Sequence, residues 1–387
     1  MIYLDNAATT RTAPEAVAAM LPYFTEYYGN AGGIYKLAGE SRKALFQARE
    51  DIARTLGAQT NEIFFTAGGT ESDNWALKAV FEAYQSKGRH IITSKIEHHA
   101  VLHTCEYLKT MGAEVTYLDV DAEGIVNVEQ LERAVRPDTI LISVMYANNE
   151  VGTIQPVREI GEIAARYGIL FHTDAVQAYG HLPINVEECH IDLLSASGHK
   201  FHGPKGAGFL YASSNARIRA LIHGGQQERG RRAGTENLPG IVGMAAAAQY
   251  VHDVMAERSA KETALRDHLI HRIEQEIPGA VLNGHRRKRL PNNVNISMEG
   301  IEGETMLIML DLAGICASSG SACTSGSVDP SHVLLAMGMS HGRARGALRL
   351  TLSEENTWEE MDVVVEKLKG IVGQLQGLRG SGSSAAI

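Results

Sequence analysis

The chain has little of what cross-links small secreted proteins or anchors proteins in membranes. Its 387 residues include four cysteines, and their wide spacing without a Cys-x-x-Cys pair argues against a disulfide framework and against structural zinc. No apolar run approaches the roughly 20 residues that cross a bilayer, and the first residues lack a basic segment followed by an apolar one. The net charge of −9 argues against nonspecific nucleic-acid binding. We therefore expect a cytoplasmic protein that binds neither membranes nor nucleic acid directly.

Strand-like and helix-like stretches alternate over residues 16–257, which is typical of parallel strands joined by crossover helices. Residues 139–146 and 169–173 read as strands around a helix at 157–167, and residues 62–66 read as an earlier strand. Long helical patterns over 238–276 lead into a C-terminal part with strand-like runs at 293–298 and 347–352 and a final amphipathic helix. This order predicts an α/β fold with a large domain and a smaller second domain. The Gly/Ser-rich end, residues 377–387, predicts a disordered tail.

Lys200 has the most informative surroundings in the chain. It lies in SGHKFHGPKG (197–206), between apolar runs at 191–196 and 206–212, so we expect it at a strand end that faces a cleft. An amine there loses its proton at modest cost because burial disfavours the ammonium, and it can then condense with an aldehyde. A surface lysine in a turn would fit this decapeptide equally well.

Asp174 ends another apolar run, and Gln177 follows three residues later. In open α/β sheets, ligands bind beyond the carboxyl ends of the strands, so Asp174 and Lys200 can converge on one small molecule. Pyridoxal phosphate needs such a pair, because an aspartate keeps its pyridine nitrogen protonated while a lysine holds its aldehyde. Asp174 alone is equally compatible with capping of the following helix.

A phosphate-binding element is predicted where a strand runs through glycines into a helix, in FTAGGTESDN (65–74). Gly69 and Thr70 would open that helix. Backbone amides and the helix dipole at such an N-terminus bind phosphate, and glycine lets the anion approach closely. Ordinary N-capping by Thr70 is the alternative for this motif taken alone.

Eight ordered blocks together resemble the cysteine desulfurases of the NifS/IscS type, which belong to the class V aminotransferase family within the fold-type I pyridoxal phosphate enzymes. The blocks are YLDNAATT (3–10), TESDN (70–74), EH (97–98), NNEVG (148–152), DAVQ (174–177), SGHKFHGPKG (197–206), RAGT (232–235) and SSGSACTS (318–325). The resemblance extends over nearly the whole chain. It implies a large domain at 16–257 with a mostly parallel seven-stranded sheet, and a smaller α+β domain formed by residues 1–15 and 258–376.

The resemblance also implies a role for each candidate site residue. Lys200, Cys323 and His98 would be catalytic, and Asn149 and Arg349 would bind the substrate, with Arg349 on its carboxylate. The cofactor would be held by Gly69, Thr70, His98, Asn149, Asp174, Gln177, Ser197, His199, Lys200 and Thr235. His98 would stack on the cofactor ring, and Thr235 would reach the phosphate from the partner subunit of a homodimer. No resident metal is expected, although Cys323 could transiently ligate an iron–sulfur cluster.

Cys323 lies in ASSGSACTSGS (317–327), a segment with almost no apolar anchor. Small residues and glycines bury too little surface to offset chain entropy, so we expect a mobile loop that can carry a thiol between two places. A free cysteine has a pKa near ~8.5, which leaves a useful thiolate fraction near neutrality. The alternative is a Ser/Gly linker with an incidental cysteine.

The activity that the resemblance implies is desulfuration of L-cysteine, which gives L-alanine and leaves the sulfur on Cys323 as a persulfide. An acceptor such as an iron–sulfur scaffold would then take the sulfur. A selenocysteine lyase or another class V enzyme would keep Lys200, Asp174 and Arg349 but would have less need of Cys323. A catalytically retired, partner-binding paralogue would more readily have lost Lys200, Asp174 or Cys323, and all three are present.

Three further features leave alternatives open. His98, His99, His103 and Cys105 could form a metal cluster, although the region reads as helical and ring stacking suits His98 better. The basic run at 285–289 reads as a solvated surface, with docking of an acidic partner as the sharper alternative. Residues 31–35 (AGGIY) depart from the family's Pro-Ser-Ser-x-His, which predicts a looser loop and altered substrate affinity.

Overall fold

The computed structural model describes residues 1–319 and 330–382, with the backbone alone for residues 378–382. The strands are β1 (Ile2–Tyr3), β2 (Ile63–Thr66), β3 (His90–Ser94), β4 (Glu114–Leu118), β5 (Thr139–Ser143), β6 (Leu170–Asp174), β7 (Leu193–Ser197), β8 (Gly208–Ala212), β9 (Ala280–Leu282), β10 (Asn293–Met298), β11 (Ile315–Cys316) and β12 (Ala347–Thr351). The α-helices are α1 (Pro14–Met20), α2 (Pro22–Thr25), α3 (Lys36–Leu56), α4 (Gly69–Tyr84), α5 (His99–Thr110), α6 (Val128–Ala134), α7 (Val157–Tyr167), α8 (Gln227–Gly230), α9 (Leu238–Asp253), α10 (Met255–Glu276), α11 (Gly303–Leu312), α12 (His332–Ala336), α13 (His341–Arg345) and α14 (Trp358–Gly382). Short 3-10 turns occupy Thr60–Glu62 and Gly198–Lys200.

Seven strands form one sheet in the order β2-β8-β7-β6-β5-β3-β4. The strands from β7 to β4 are mutually parallel, and β8 runs antiparallel to both of its neighbours. The predicted mostly parallel seven-stranded sheet is therefore confirmed. Asp174, opposite Ser195 in the register of β6 and β7, lies at the carboxyl edge of the sheet, where open α/β sheets bind their ligands.

Helices cover both faces of this sheet. Because side chains alternate along a strand, Phe64 of β2 packs in a core with α4 and α5, whereas its neighbour Phe65 packs in a core with α3, α7 and α9. Leu193 and Leu194 of β7 divide between the same two cores. With both faces covered, as is usual for parallel sheets, the carboxyl edge is the natural place for a site.

A separate hydrophobic cluster lies in the C-terminal part of the chain. It combines the antiparallel sheet β12-β10-β9 with residues of α10, α11 and α14, and it includes Leu4 from the N-terminus. β1 pairs in parallel with β11, which brings the N-terminal segment to this cluster. The domain boundaries at 16–257 and at 1–15 and 258–376 stay a prediction.

Helix α14 continues to Gly382, and the disordered tail at residues 377–387 stays a prediction. Ile371 and Val372 are buried in the C-terminal cluster. A helix anchored in this way extends at little cost, since each further residue adds one hydrogen bond. Residues 383–387 lie outside the described part of the chain.

Other predicted elements match or differ in detail. The helix at 157–167 and the strand at 293–298 have the predicted bounds. The long helical pattern at 238–276 is two helices, α9 and α10, which are separated by Val254 at φ −104° and ψ 7°. The break lets the chain change direction on its way from the sheet to the C-terminal cluster.

Candidate active site

Ten of the twelve residues predicted for the site line one cavity of about 220 Å³ at the carboxyl edge of the large sheet. They are Gly69, Thr70, His98, Asn149, Asp174, Gln177, Ser197, His199, Lys200 and Arg349. Thr235 is exposed and does not belong to this lining. Cys323 lies outside the described residues. The topology thus gathers residues that are up to 280 positions apart in the sequence, from Gly69 to Arg349.

Lys200 follows β7 in the turn Gly198–Lys200 and points into the cavity. Its Nζ donates hydrogen bonds to the carbonyl oxygens of Ala7 at 2.6 Å and Ala8 at 2.9 Å. Gln177 donates to the same Ala7 oxygen through Nε2 at 3.0 Å. The N-terminal segment is therefore part of the cavity wall and holds the lysine head group.

Asp174 is buried at the end of β6, where its Oδ1 accepts a hydrogen bond from the Val176 amide at 2.9 Å. Burial raises the pKa of its carboxyl to about 6, although the Val176 amide and the Lys200 ammonium both oppose the rise. A cation placed next to this carboxylate would stabilise its charged form. The side chain is thus suited to a protonated ring nitrogen.

Asp73, on α4, is a residue that the sequence interpretation did not assign. It is 1% exposed, and its Oδ1 has no hydrogen-bond partner among the described residues. Burial, followed by the nearby Asp174, raises its pKa well above the ordinary value. Ligand atoms of Asp73, His98 and Asp174 lie within 4.8 Å of one another, so two carboxyls and an imidazole converge on one point of the cavity. The sequence around Asp73 is polar (TESDN, 70–74) and gives no local signal of its burial.

His98 caps α5, and its Nδ1 accepts a hydrogen bond from the Ala100 amide at 3.1 Å. Nδ1 therefore carries no proton, and in the neutral ring the proton sits on Nε2. Burial, helped by the Lys200 charge, lowers the pKa of His98 to about 4. The ring is thus neutral near pH 7, with an apolar face for stacking and one N–H to donate.

The opposite end of the cavity is formed by the start of α4, as predicted for Gly69 and Thr70. A Cβ at Gly69 would lie 2.6 Å from Cγ2 of Val176, and a Cβ at Gly208 would lie 2.5 Å from Cα of Gly68. Glycine is therefore required for this close approach of backbone to backbone. Ser197 and His199 line both this cavity and a larger, adjoining one of about 890 Å³. Free amides at a helix start next to these groups suit a phosphate.

Arg349 enters the cavity from β12 of the C-terminal part. Its Nη2 donates to Oδ1 of Asp5 at 2.9 Å and its Nη1 donates to the carbonyl oxygen of Asn149 at 3.0 Å. Its Nε is buried and has no hydrogen-bond partner among the described residues. One edge of the guanidinium is thus fixed by the protein, which leaves donor capacity for a ligand carboxylate. The role of Asp5, inside the first motif block, was not predicted.

The chain on both sides of residues 320–329 is attached beside the cavity. Ser318 and Arg349 exchange backbone hydrogen bonds, with N···O distances of 3.1 Å and 2.6 Å. After the segment, the Ser331 hydroxyl donates to Glu150 Oε2 at 2.5 Å, and His332 Nε2 lies 3.0 Å from the carbonyl oxygen of Glu97. The predicted loop with Cys323 therefore starts and ends at the site, while the cysteine itself is outside the described residues.

Burial bears on two features that the sequence left open, the possible metal cluster with Cys105 and the basic run at 285–289. Cys105 is fully buried, and burial raises the pKa of its thiol to about 12, so a metal-binding thiolate there is unfavourable. In the basic run, Arg289 is not a solvated residue, because it is 3% exposed and donates to the carbonyl oxygens of Val151, Asn283, His285 and Asn293. Packing between the two parts of the chain, which no local pattern shows, buries this arginine.

Residues 31–35, which differ from the family's Pro-Ser-Ser-x-His, contact one another and Arg42. A Cβ at Gly33 would lie 2.6 Å from the Tyr35 ring, so glycine at one position and tyrosine at the other fit each other. Arg42 donates to the carbonyl oxygens of Ala31 and Gly33. The predicted looser loop and altered substrate affinity stay a prediction.

Comparison with known proteins places the chain in a family. The model of the family described as "Aminotransferase class-V" matches residues 2–364, so the chain belongs to the class-V aminotransferase family. A protein named cysteine desulfurase IscS from Clostridium botulinum is 53% identical over 375 residues, which cover 96% of this chain and 94% of that protein. A protein of the same name from Methanosarcina thermophila is 54% identical over 377 residues, covering 97% and 93%. These findings confirm the resemblance to the NifS/IscS type.

Solved structures of similar proteins have the same fold as this chain. A NifS-like protein has 41% sequence identity and a TM-score of 0.91, with 96% of this chain and 99% of that chain covered. A structure described as SspA in complex with cysteine has 37% identity and a TM-score of 0.81, covering 92% and 100%. The predicted fold of this family is thereby confirmed.

Pyridoxal phosphate is the cofactor of this family, and the described residues fit it. The helix start at Gly69 suits its phosphate, and the buried carboxyls of Asp174 and Asp73, whose pKa values are raised by burial, suit a protonated ring nitrogen. Lys200 lies on the same cavity for the aldehyde. The cofactor predicted from the sequence is confirmed by the family.

Proposed function

We propose that this protein is a cysteine desulfurase that removes sulfur from L-cysteine, releases L-alanine and holds the sulfur on Cys323. The observation that carries the proposal is the convergence of Lys200, Asp174 and Arg349 on one cavity, with both ends of the Cys323 segment attached beside it. The names of the close relatives favour desulfuration over the selenocysteine lyase alternative.

The cofactor would be held by the start of α4 at its phosphate and by Asp174 at its ring nitrogen, with His98 against the ring. When bound, pyridoxal phosphate withdraws electrons from the α-carbon of the amino acid. Arg349 binds the substrate carboxylate with its free donors, and Asn149 lies next to it. Lys200 moves the α-proton, because its Nζ is the basic group on this side of the cavity.

Sulfur transfer is assigned to Cys323. Its thiolate attacks the sulfur of the substrate, the Cβ–S bond breaks, and a persulfide forms on Cys323. The electron pair of the broken bond stays with the carbon skeleton, which takes up protons to become alanine. His98 is neutral near pH 7 and can donate a hydrogen bond from its Nε2–H to the sulfur during this step.

A thiolate of an acceptor protein such as an iron–sulfur scaffold then attacks the outer sulfur, the S–S bond breaks, and Cys323 leaves as a thiolate while the acceptor carries the persulfide. We further propose a cytoplasmic homodimer in which Thr235 completes the phosphate site of the partner subunit. The exposed position of Thr235, away from the cavity of its own protomer, supports that arrangement. Within the described ranges, helices long and apolar enough to span a bilayer are absent.

The function is tested by the variant Cys323→Ala. It should keep the visible absorption of the bound cofactor and the spectral change on adding L-cysteine, while production of alanine and sulfide falls to background. Cys316→Ala is the matched control, because Cys316 pairs with Tyr3 in the β1–β11 ladder and should contribute packing alone. In wild-type protein without reductant, mass spectrometry should find one added sulfur on the peptide that contains Cys323. Substantial alanine production by Cys323→Ala would overturn the proposal.

A further inference from the structure

A second group of charged side chains is buried behind the active site, where the large sheet, the N-terminal segment and the C-terminal part meet. His202 follows Lys200 by two residues, and Glu354 follows Arg349 by five. Arg258 and Glu262, on α10, and His181, after β6, complete the group. Arg258, Glu262, His181 and His202 are each at most 5% exposed. The reaction derived above uses none of them.

His202 has an acceptor at each ring nitrogen. Its Nδ1 lies 3.0 Å from the carbonyl oxygen of Arg11, and its Nε2 lies 3.4 Å from Oε2 of Glu354. A carbonyl oxygen can only accept, so Nδ1 must carry a proton. The Nε2–Oε2 distance is within ion-pair range, so this contact, the His202–Glu354 ion pair, joins the turn after Lys200 to the segment after β12.

The carboxylate of Glu354 is held in its charged form. Burial raises its pKa, but His202, followed by Arg258, outweighs burial and lowers the pKa to about 2. The Tyr250 hydroxyl lies 3.5 Å from its Oε1, and Lys261 donates to its backbone oxygen. Glu354 is thus an anion fixed among groups from α9, α10 and the large sheet.

The rest of the group keeps this junction polar. Arg258 Nη2 donates to the carbonyl oxygen of Gly180 and lies 3.4 Å from His181 Nδ1. Glu262 lies 3.7 Å from Arg258 Nε and 3.8 Å from His181 Nδ1. Burial lowers the pKa of His181, so that ring stays neutral near pH 7. His202 and Glu354 therefore form the ion pair that crosses from the large sheet to the C-terminal part.

The backbone at His202 is fixed as firmly as its ring. His202 has φ 65°, a left-handed conformation that costs energy for a non-glycine residue. Its amide donates to Thr10 Oγ1 at 2.8 Å, and its carbonyl oxygen accepts from the Ala13 amide at 2.9 Å. The turn after Lys200 is thus locked to the same N-terminal segment whose carbonyl oxygens hold Lys200.

We propose that the His202–Glu354 ion pair is a positioning device that sets the separation between Lys200 and Arg349. The inference rests on the proposed function, in which Arg349 binds the carboxylate of the substrate. Asp5 contacts Arg349 and Ala7 contacts Lys200, so the N-terminal segment spans the two working residues at the cavity. The ion pair ties their two chain segments together a second time, outside the cavity.

Loss of the ion pair lets β12 shift relative to the turn that bears Lys200. Such a shift weakens the grip of Arg349 on a substrate that Lys200 must also reach. The effect should fall mainly on KM for cysteine, because the carboxylate contact is made in the ground state. Cofactor retention should not change, since the pair contacts no residue that holds the phosphate.

The test compares Glu354→Gln with Glu355→Gln. Glu355 is the neighbouring residue, and its ion pair with Arg11 joins the same C-terminal segment to the N-terminal segment at the surface, with side chains 57% and 73% exposed. Glu354→Gln should raise KM for cysteine roughly tenfold with kcat within about twofold of wild type. Glu355→Gln should leave both constants within about twofold, because exposed ion pairs contribute little.

A double-mutant cycle with His202→Gln separates positioning from general stability. The double variant Glu354→Gln, His202→Gln should have a KM close to that of either single variant, because both changes remove the same interaction. Additive increases in KM would overturn the proposal. So would a Glu354→Gln protein whose melting temperature falls while its KM is unchanged, since that result shows a structural role alone.

The proposed function and the positioning role of the His202–Glu354 ion pair are tested by different results. If wild-type protein with bound cofactor released no alanine from cysteine, the proposed function would be wrong. If wild type were active and Glu354→Gln matched Glu355→Gln in KM, the positioning role alone would be wrong. All variants are assayed as full-length protein with bound cofactor, below the melting temperature of the least stable one.

Discussion

Replacing Arg349 by lysine should weaken cysteine binding far more than a conservative change of a cation suggests. Arg349 is buried, its guanidinium is fixed by Asp5 and the carbonyl oxygen of Asn149, and its Nε has no hydrogen-bond partner in the described part of the chain. A lysine ammonium can donate hydrogen bonds with good geometry to Asp5 or to the substrate carboxylate. It cannot donate to both at once, as the planar guanidinium of arginine can. The loss of one charge-assisted hydrogen bond costs about 1.5–3 kcal/mol. KM for cysteine should therefore rise roughly 10- to 150-fold.

The assay is alanine release at varied cysteine concentration, together with the cofactor absorption of each variant. Arg345→Lys is the matched control, since Arg345 is exposed in α13 on the same approach to β12. Cofactor content should be equal in wild type and in both variants, because neither change alters Asp174 or the start of α4, which would hold the cofactor. A KM for Arg349→Lys within twofold of the control would refute the assignment of Arg349 to the substrate carboxylate.

Three other predictions follow from the structure. Burial raises the pKa of Glu97 to about 8, so the folded state binds this proton more tightly than the unfolded state, and the stabilising effect is lost as pH rises from about 4.5 through about 8. The free energy of unfolding in denaturant should therefore decline over this range by up to about 1.4 kcal/mol per pH unit in wild type but not in Glu97→Gln, and parallel pH curves for the two proteins would contradict the prediction. Thr235→Ala should leave the dimer intact but weaken equilibrium binding of pyridoxal phosphate roughly tenfold, and unchanged binding would remove the role across the interface. Gly33→Ser should leave the melting temperature unchanged, because its Cβ meets the far end of the exposed Tyr35 side chain, which can turn away; a clear fall in melting temperature would show that the ring is fixed.

The sequence predicts the cavity lining well because strand ends in a parallel sheet share one edge. Asp174 ends β6, and Lys200 follows β7, the neighbouring strand. Gly69 starts a helix directly after a strand, and this strand–glycine–helix pattern can be read from the ten residues 65–74 alone. The resemblance to a known family adds Asn149 and Arg349, whose places depend on contacts that no local pattern shows.

What the sequence does not predict depends on approaches between distant segments. The Asp5–Arg349 contact joins residues 344 positions apart, and nothing around Asp5 indicates a buried arginine partner. Arg289 reads as part of a basic surface run, yet packing between the two parts of the chain buries it. Asp73 reads as a helical surface carboxylate until the sheet closes over it, because burial is a property of the whole fold.

Three buried carboxyls around the cavity, Asp73, Asp174 and Glu97, have raised pKa values because burial disfavours their charged forms. Apolar side chains of similar size would cost the fold less at these positions. Glu97 recovers part of the cost by accepting hydrogen bonds from Ser94 and the Met145 amide, whereas Asp73 Oδ1 has no such partner among the described residues. Asp73 and Asp174 therefore make sense as a pair whose electrostatic cost is offset when a cationic ring nitrogen occupies the cavity. The electrostatic cost of the buried carboxyls is thus highest in the protein without its cofactor. Relief of this cost contributes to the free energy of cofactor binding.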